Sequence, residues 1–140
     1  MLGQAQQAPL DADDLPRIAV QVRRRAVEHR FRVLPFKLDA VRSDPDVVLS
    51  GAAGAAEQGA AVAADGADVY VRQSLLDEVL NRHDLRASPD EANVIVRVVD
   101  DDSWPFKDHE RVAPLAVCAL DAFERLDRRA AHEALAQARP

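Results

Sequence analysis

The stretch NVIVRVV, Asn93–Val99, is the clearest strand in the chain, and it commits the fold to a sheet. Two shorter runs accompany it. Val47-Val48-Leu49 is wholly apolar, as a strand covered on both faces requires. Ala67–Arg72 places Asp68 and Tyr70 on one face and Val69 and Val71 on the other. Helical patterns stand between these runs. The expected order is α-(β)-β-α-β-α-β-α-α, an α+β or α/β domain with a small mixed sheet packed with helices.

The helices are read from their stripes and end signals. Asp14 is a candidate cap for a first helix, with Pro16 in its first turn and Leu15, Ile18, Ala19, Val22 and Ala26 as its apolar stripe. Ser50 is a candidate cap for a helix over Ala52–Gln58, which Gly59 ends. Ser74 with Asp77 reads as a capping-box variant before a helix whose buried face is Leu75, Leu76, Val79 and Leu80. Pro114 opens a helix with Leu115, Cys118, Ala119, Ala122, Phe123 and Leu126 inward, and Asp127 begins a last one reaching about Gln137. Phe31–Leu38 contains Pro35 and is at best an edge strand. Ala87–Asp90 reads as loop.

A length of 140 residues suits one domain, read as 14–140 behind a Gln-rich, flexible tail over 1–13. No apolar run is long enough to cross a bilayer, and the expected compartment is a bacterial-type cytoplasm. Cys118 is the single cysteine, so no disulfide forms within the chain, and its apolar neighbours predict an inert buried thiol. The net charge of −6 opposes general binding to nucleic acid. Between Arg17 and Lys37, however, seven basic residues accompany the single acid Glu28. Arg23, Arg24 and Arg25 lie mostly off the first helix's stripe. They are candidates for contact with nucleic acid or an acidic protein, set against an ordinary solvated face.

The central stretch, VVLSGAAGAAEQGAAVAADGADVYV, raises the question of chemistry. A tight Ser50-Gly51 turn after a strand lets backbone N–H groups approach phosphates. Two carboxylates at i and i+2 on the following strand jointly hold magnesium, and a third from a neighbouring strand completes a two-metal site. Asp68 is present, and Asp100 continues the face of Val94, Val96 and Val98 as the candidate third ligand. Tyr70 stands where the second carboxylate belongs, and a neutral phenol is a poor magnesium ligand.

This pattern resembles the DNA polymerase beta-type nucleotidyltransferase superfamily: a hydrophobic residue, a Gly/Ser turn, a helix, then Asp-x-Asp. SGAAGAA, ADVYVR, NVIVRVV, WPF and the ending from Ala113-Pro114-Leu115 onward are similar to actinobacterial antitoxin-like regulators. Those proteins are related to the type IV abortive-infection antitoxins and carry a degenerate nucleotidyltransferase-like domain. The resemblance spans roughly Pro45–Leu135. It implies a nucleotidyltransferase-like core with Ser50 and Gly51 as a relic phosphate loop, no cofactor, and a protein partner such as a cognate toxin.

Three functions stay open. The first is a non-catalytic domain acting through protein contacts. The second is an active transferase with a reduced metal site of Asp68 and Asp100, using magnesium and a nucleoside triphosphate. The third is a nucleic-acid-binding regulator using the first helix. The missing carboxylate favours the first. Ser50 also has a plain reading as a helix cap, with Gly51 permitting close packing. Trp104 and Phe106 are candidate partner anchors, or else a loop folded back onto the core. The four histidines show no ligand spacing.

Overall fold

The structure, a computed structural model, describes residues 26–62, 64–124 and 136–138. It is a mixed five-stranded sheet with helices, an α+β fold. The strands are β1 (Ala26–Arg32), β2 (Val47–Ser50), β3 (Ala67–Arg72), β4 (Arg86–Ala87) and β5 (Val94–Val99). The helices are α1 (Leu38–Arg42), α2 (Gly51–Glu57), α3 (Leu76–His83) and α4 (Leu115–Glu124). The strand order is β2-β3-β5-β1-β4, with only the β3–β5 pair parallel.

The three apolar runs become adjacent strands of this sheet, as their composition requires. In β5 every residue is buried, and in β3 all but Arg72 are. One face is aliphatic: Val69 and Val71 of β3 lie beside Val94, Val96 and Val98 of β5, with Leu38, Val41 and Val79 from α1 and α3 over them. The other face carries Val48, Tyr70 and Val99 under Ala116, Val117 and Ala119 of α4. Gly54 lets α2 approach α4. A Cβ there would lie 2.7 Å from the Cys118 sulfur and 3.0 Å from the Leu49 carbonyl oxygen.

The sheet starts earlier than the proline-containing run suggested. β1 runs over Ala26–Arg32 rather than Phe31–Leu38, and it lies inside the sheet between β5 and β4. Pro35, lacking a donor, opens a 3-10 turn over Pro35–Lys37 instead of extending a ladder. β1 was hard to see because Val27 to Arg30 are all exposed, on both faces of the strand, so no apolar alternation marks it. The loop expected at Ala87–Asp90 begins with the short strand β4. The first helix lies outside the described residues apart from Ala26, which opens β1. The tail over 1–13 and the last helix from Asp127 lie outside them too, except for 136–138.

Ser74 does not form a capping box. It sits in a 3-10 turn, Gln73–Leu75, and its amide and hydroxyl both donate to Asp101, at 3.0 and 2.5 Å. These bonds hold the Asp101 carboxyl below its ordinary value. The Asp101 carboxylate thus ties the start of α3 to the loop after β5. No described helix is long and apolar enough to cross a membrane.

Candidate functional site

The antiparallel register of β2 and β3 sets Ser50 opposite Asp68 and Val48 opposite Tyr70. The parallel register of β3 and β5 sets Asp68 beside Ile95 and Tyr70 beside Arg97. Side chains alternate along a strand, so Ser50, Asp68, Tyr70 and Arg97 converge on one face. Helix α4 lies over that face and delivers Asp121 into it. Asp121 and Ser50 are 0% exposed, and Asp68 and Arg97 are 2% exposed.

Asp121 is the hub. Its Oδ2 accepts hydrogen bonds from the Ser50 hydroxyl at 2.5 Å and the Tyr70 hydroxyl at 2.8 Å. Its Oδ1 lies 3.3 Å from Nε of Arg97. The guanidinium reaches outward through Nη2 toward Glu124 at 3.5 Å and Glu28 at 3.9 Å. Its carbon also lies 5.9 Å from the Tyr70 ring centre, within cation–π range. A buried guanidinium without such partners would cost several kcal/mol.

The electrostatics follow from this packing. Burial works against the charge on Arg97, but Asp121 and then Asp68 outweigh it, and its pKa is raised. Burial, reinforced by the negative Asp121, pushes the Tyr70 phenol upward, so it stays a neutral donor. Burial likewise pushes the Cys118 thiol up to about 12, which fits the inert thiol expected from its neighbours.

Gly51 has a role in this cluster that differs from close helix packing. Its φ is +62°, and a Cβ would fall 2.2 Å from Oδ2 of Asp68. The missing side chain leaves room for the Asp68 carboxylate beside the start of α2. Ser50 does occupy the cap position of α2, but its side chain makes no cap hydrogen bond. Its proton goes to Asp121 instead. The turn after β2 thus accommodates a carboxylate from its own sheet.

Asp68 and Asp100 are not brought together. Asp100 is exposed and, by strand alternation, belongs with Val94, Val96 and Val98 on the opposite face from Asp68. The donor set does not fit magnesium: Asp68 is buried near the Arg97 guanidinium, and Tyr70 already donates to Asp121. Among the described residues no group of three or more His, Cys, Asp or Glu side chains is arranged to hold a metal ion.

Phe106 is buried and packs edge-on to Tyr70, with centroids 5.2 Å apart, and Trp104 packs edge-on to Phe106 at the same distance. Arg72 covers the Trp104 ring at 4.7 Å. This loop folds back onto the core, so Phe106 is not an exposed anchor. Arg23, Arg24 and Arg25 lie outside the described residues.

Two constellations went unread in the sequence. Arg97 is the one charge inside an apolar strand, and such a charge requires a buried counter-ion. Asp121 is that counter-ion. It sits in the buried stripe of α4 where Phe123, 48% exposed, was expected to point inward. The second constellation is Asp44 with Arg82 and His83. His83 is buried, and its Nε2 lies 2.5 Å from Asp44 Oδ2, within hydrogen-bond distance. Arg82 contacts both Asp44 oxygens at 2.8 and 2.7 Å and lies 3.0 Å from Asp46. Burial alone would raise the Asp44 pKa, but the Asp46 amide, His83 and Arg82 together lower it. This pair fastens the end of α3 to the turn before β2.

Compared with models of known protein families, with curated proteins and with solved structures, the chain matches none.

Proposed function

We propose that the chain is a non-catalytic, nucleotidyltransferase-like domain that works through protein contacts in an antitoxin-like or regulatory setting. The observation that carries the non-catalytic part is the occupant of the Asp68 face. In a two-metal transferase that face carries magnesium between carboxylates. Here it carries the Arg97 guanidinium and the Tyr70 phenol, both bound to Asp121 and covered by α4. A fixed cation beside Asp68 repels a metal ion electrostatically. The antitoxin-like setting rests on the resemblance of the central and C-terminal motifs.

The test is nucleotide transfer. The protein is incubated with magnesium or manganese and labelled nucleoside triphosphates, with protein and RNA as acceptors. The proposal expects no label on either acceptor. Label transferred by the unmodified chain and abolished by Asp68→Asn would replace this reading with that of an active transferase.

A further inference from the structure

The two edges of the sheet are finished differently. Along β2, the segment Arg111–Ala113 covers the outer side: the Leu49 amide donates to the Arg111 carbonyl at 2.9 Å, and the Ala113 amide to the Leu49 carbonyl at 2.8 Å. At the other edge β4 is two exposed residues long, and among the described residues nothing pairs with its outer side. An open edge with free main-chain groups is a template for an added strand.

Beside that edge the chain holds apolar side chains out into solvent. Leu34 is 59% exposed and Phe36 is 77% exposed. Single exposed apolar residues are ordinary, but these two share one short, braced turn. Asn93 grips the backbone of Val33 in both directions, accepting from its amide at 2.9 Å and donating to its carbonyl at 2.8 Å. The Lys37 amide closes the turn onto the Leu34 carbonyl at 2.8 Å, and Pro35 fixes the backbone between. Held this way, Leu34 and Phe36 lose little further entropy on meeting a partner.

A groove of about 420 Å³ lies between this turn and β4, and it is lined in part by Arg32, Leu34, Lys37, Asp84, Arg86 and Ser88. Three of these are cations. The one acid, Asp84, is engaged by Arg86 at 3.3 Å. On a chain of net charge −6 this is a patch of opposite sign. At physiological salt, charges beyond about 8 Å are screened, so the local cations set what enters the groove.

We propose that this groove is a docking site for an extended, acidic segment of a protein partner, with an apolar side chain seated against Leu34, which lines it. The open edge offers main-chain pairing, the turn offers apolar contact, and Arg32, Lys37 and Arg86 select negative side chains. A polypeptide fits these features better than a nucleic acid, which would want several stacking rings where the groove has one exposed aromatic beside it. The inference rests on the protein-contact reading above only in naming a polypeptide as the occupant.

The test uses ¹⁵N-labelled full-length protein and a decapeptide of alternating valine and glutamate. Amide shifts confined to residues 32–37 and 84–88 are expected, weakening as salt rises. Lys37→Glu with Arg86→Glu should reduce affinity at least tenfold. Leu34→Ser should also weaken binding while leaving the urea midpoint nearly unchanged, since that side chain is largely exposed. No shifts at these residues up to millimolar peptide would overturn the proposal. So would equal binding of the lysine-for-glutamate peptide, or tighter binding of a decamer of uridines. Concentration-dependent shifts there without peptide would assign the groove to a second copy and overturn it as well. Nucleotide transfer would sink the functional reading without changing these shifts, and absent shifts leave the transfer assay untouched.

Discussion

The two faces of one sheet are built from neighbouring residues of the same strands, yet they obey different rules. On the face toward α1 and α3, Val69, Val71, Val94, Val96 and Val98 make a dry aliphatic layer. On the face toward α4, Ser50, Asp68, Tyr70, Arg97 and Asp121 are just as deeply buried but polar. The aliphatic layer draws its energy from area removed from water, which is non-directional and tolerant of shape-conserving exchange. The polar layer depends on each donor meeting its acceptor, so it tolerates little. Such networks fix register and orientation more than they add stability. The second face therefore holds α4 in one place over the sheet.

The sharpest way to break this comparison is to remove the hub. Asp121→Ala leaves Arg97 buried without its main counter-charge, and a loss of about 3–5 kcal/mol is expected in urea denaturation. Replacing both partners, Arg97→Met with Asp121→Leu, should recover most of that loss. A double variant as unstable as the single would show that the cost lies in packing rather than charge.

Gly51→Ala should cost about 2–4 kcal/mol, combining a left-handed backbone with a collision against Asp68. Adding Asp68→Ala relieves the collision and not the backbone strain, so a double-mutant cycle should return a coupling of about 1–2 kcal/mol. Additive losses would remove the Asp68 carboxylate from this argument. On the aliphatic face, Val96→Ala should cost about 2 kcal/mol through lost burial and a small cavity. Unlike the hub variant, it should leave the thiol of Cys118 as protected from alkylation as before. Tyr70→Phe removes one donor from Asp121 and keeps the ring, and about 1 kcal/mol is expected.

The smallest effect concerns acid. The folded-state pKa of Asp44 is lowered below its ordinary 3.8, so its contribution to stability is present above that value. It is lost as pH falls through the lower folded value. Asp44→Asn should flatten the stability profile below about pH 4. An unchanged acid limb, measured by denaturation across pH 2 to 6, would mean that the Arg82 and His83 contacts do not perturb it.

The same contrast explains what could be read from the chain. Val47–Leu49 was legible as an unbroken apolar run, Ala67–Arg72 from its alternation, and Asn93–Val99 from β-branched residues interrupted only by Arg97. Helix α3 was legible from its stripe of Leu75, Leu76, Val79 and Leu80, which pack on the valine face. β1 was not, because Val27 to Arg30 are exposed on both faces without apolar alternation, and the proline after it drew the strand downstream. Of the site, Asp68, Tyr70 and Ser50 could be found from spacing. Arg97 and Asp121 could not be paired from it. The pairing is a tertiary fact joining β5 to α4, and an acid in a helical stripe gives no local sign of turning inward. Asp100 was read onto the face of Val94, Val96 and Val98, but counting along β5 alone could not show that Asp68 lies on the opposite face, which the β3 register decides.

The central claim is that the Asp68 face is closed by its own cation rather than open to metal and nucleotide. Manganese titration followed by amide line broadening tests this most directly, in the absence and then the presence of a nucleoside triphosphate. The account predicts that the signals of Ser50, Asp68, Tyr70 and Arg97 stay sharp at manganese concentrations that broaden exposed acids such as Asp100 and Asp102. Selective, saturable broadening at Ser50 and Asp68, strengthened by nucleotide, would contradict it.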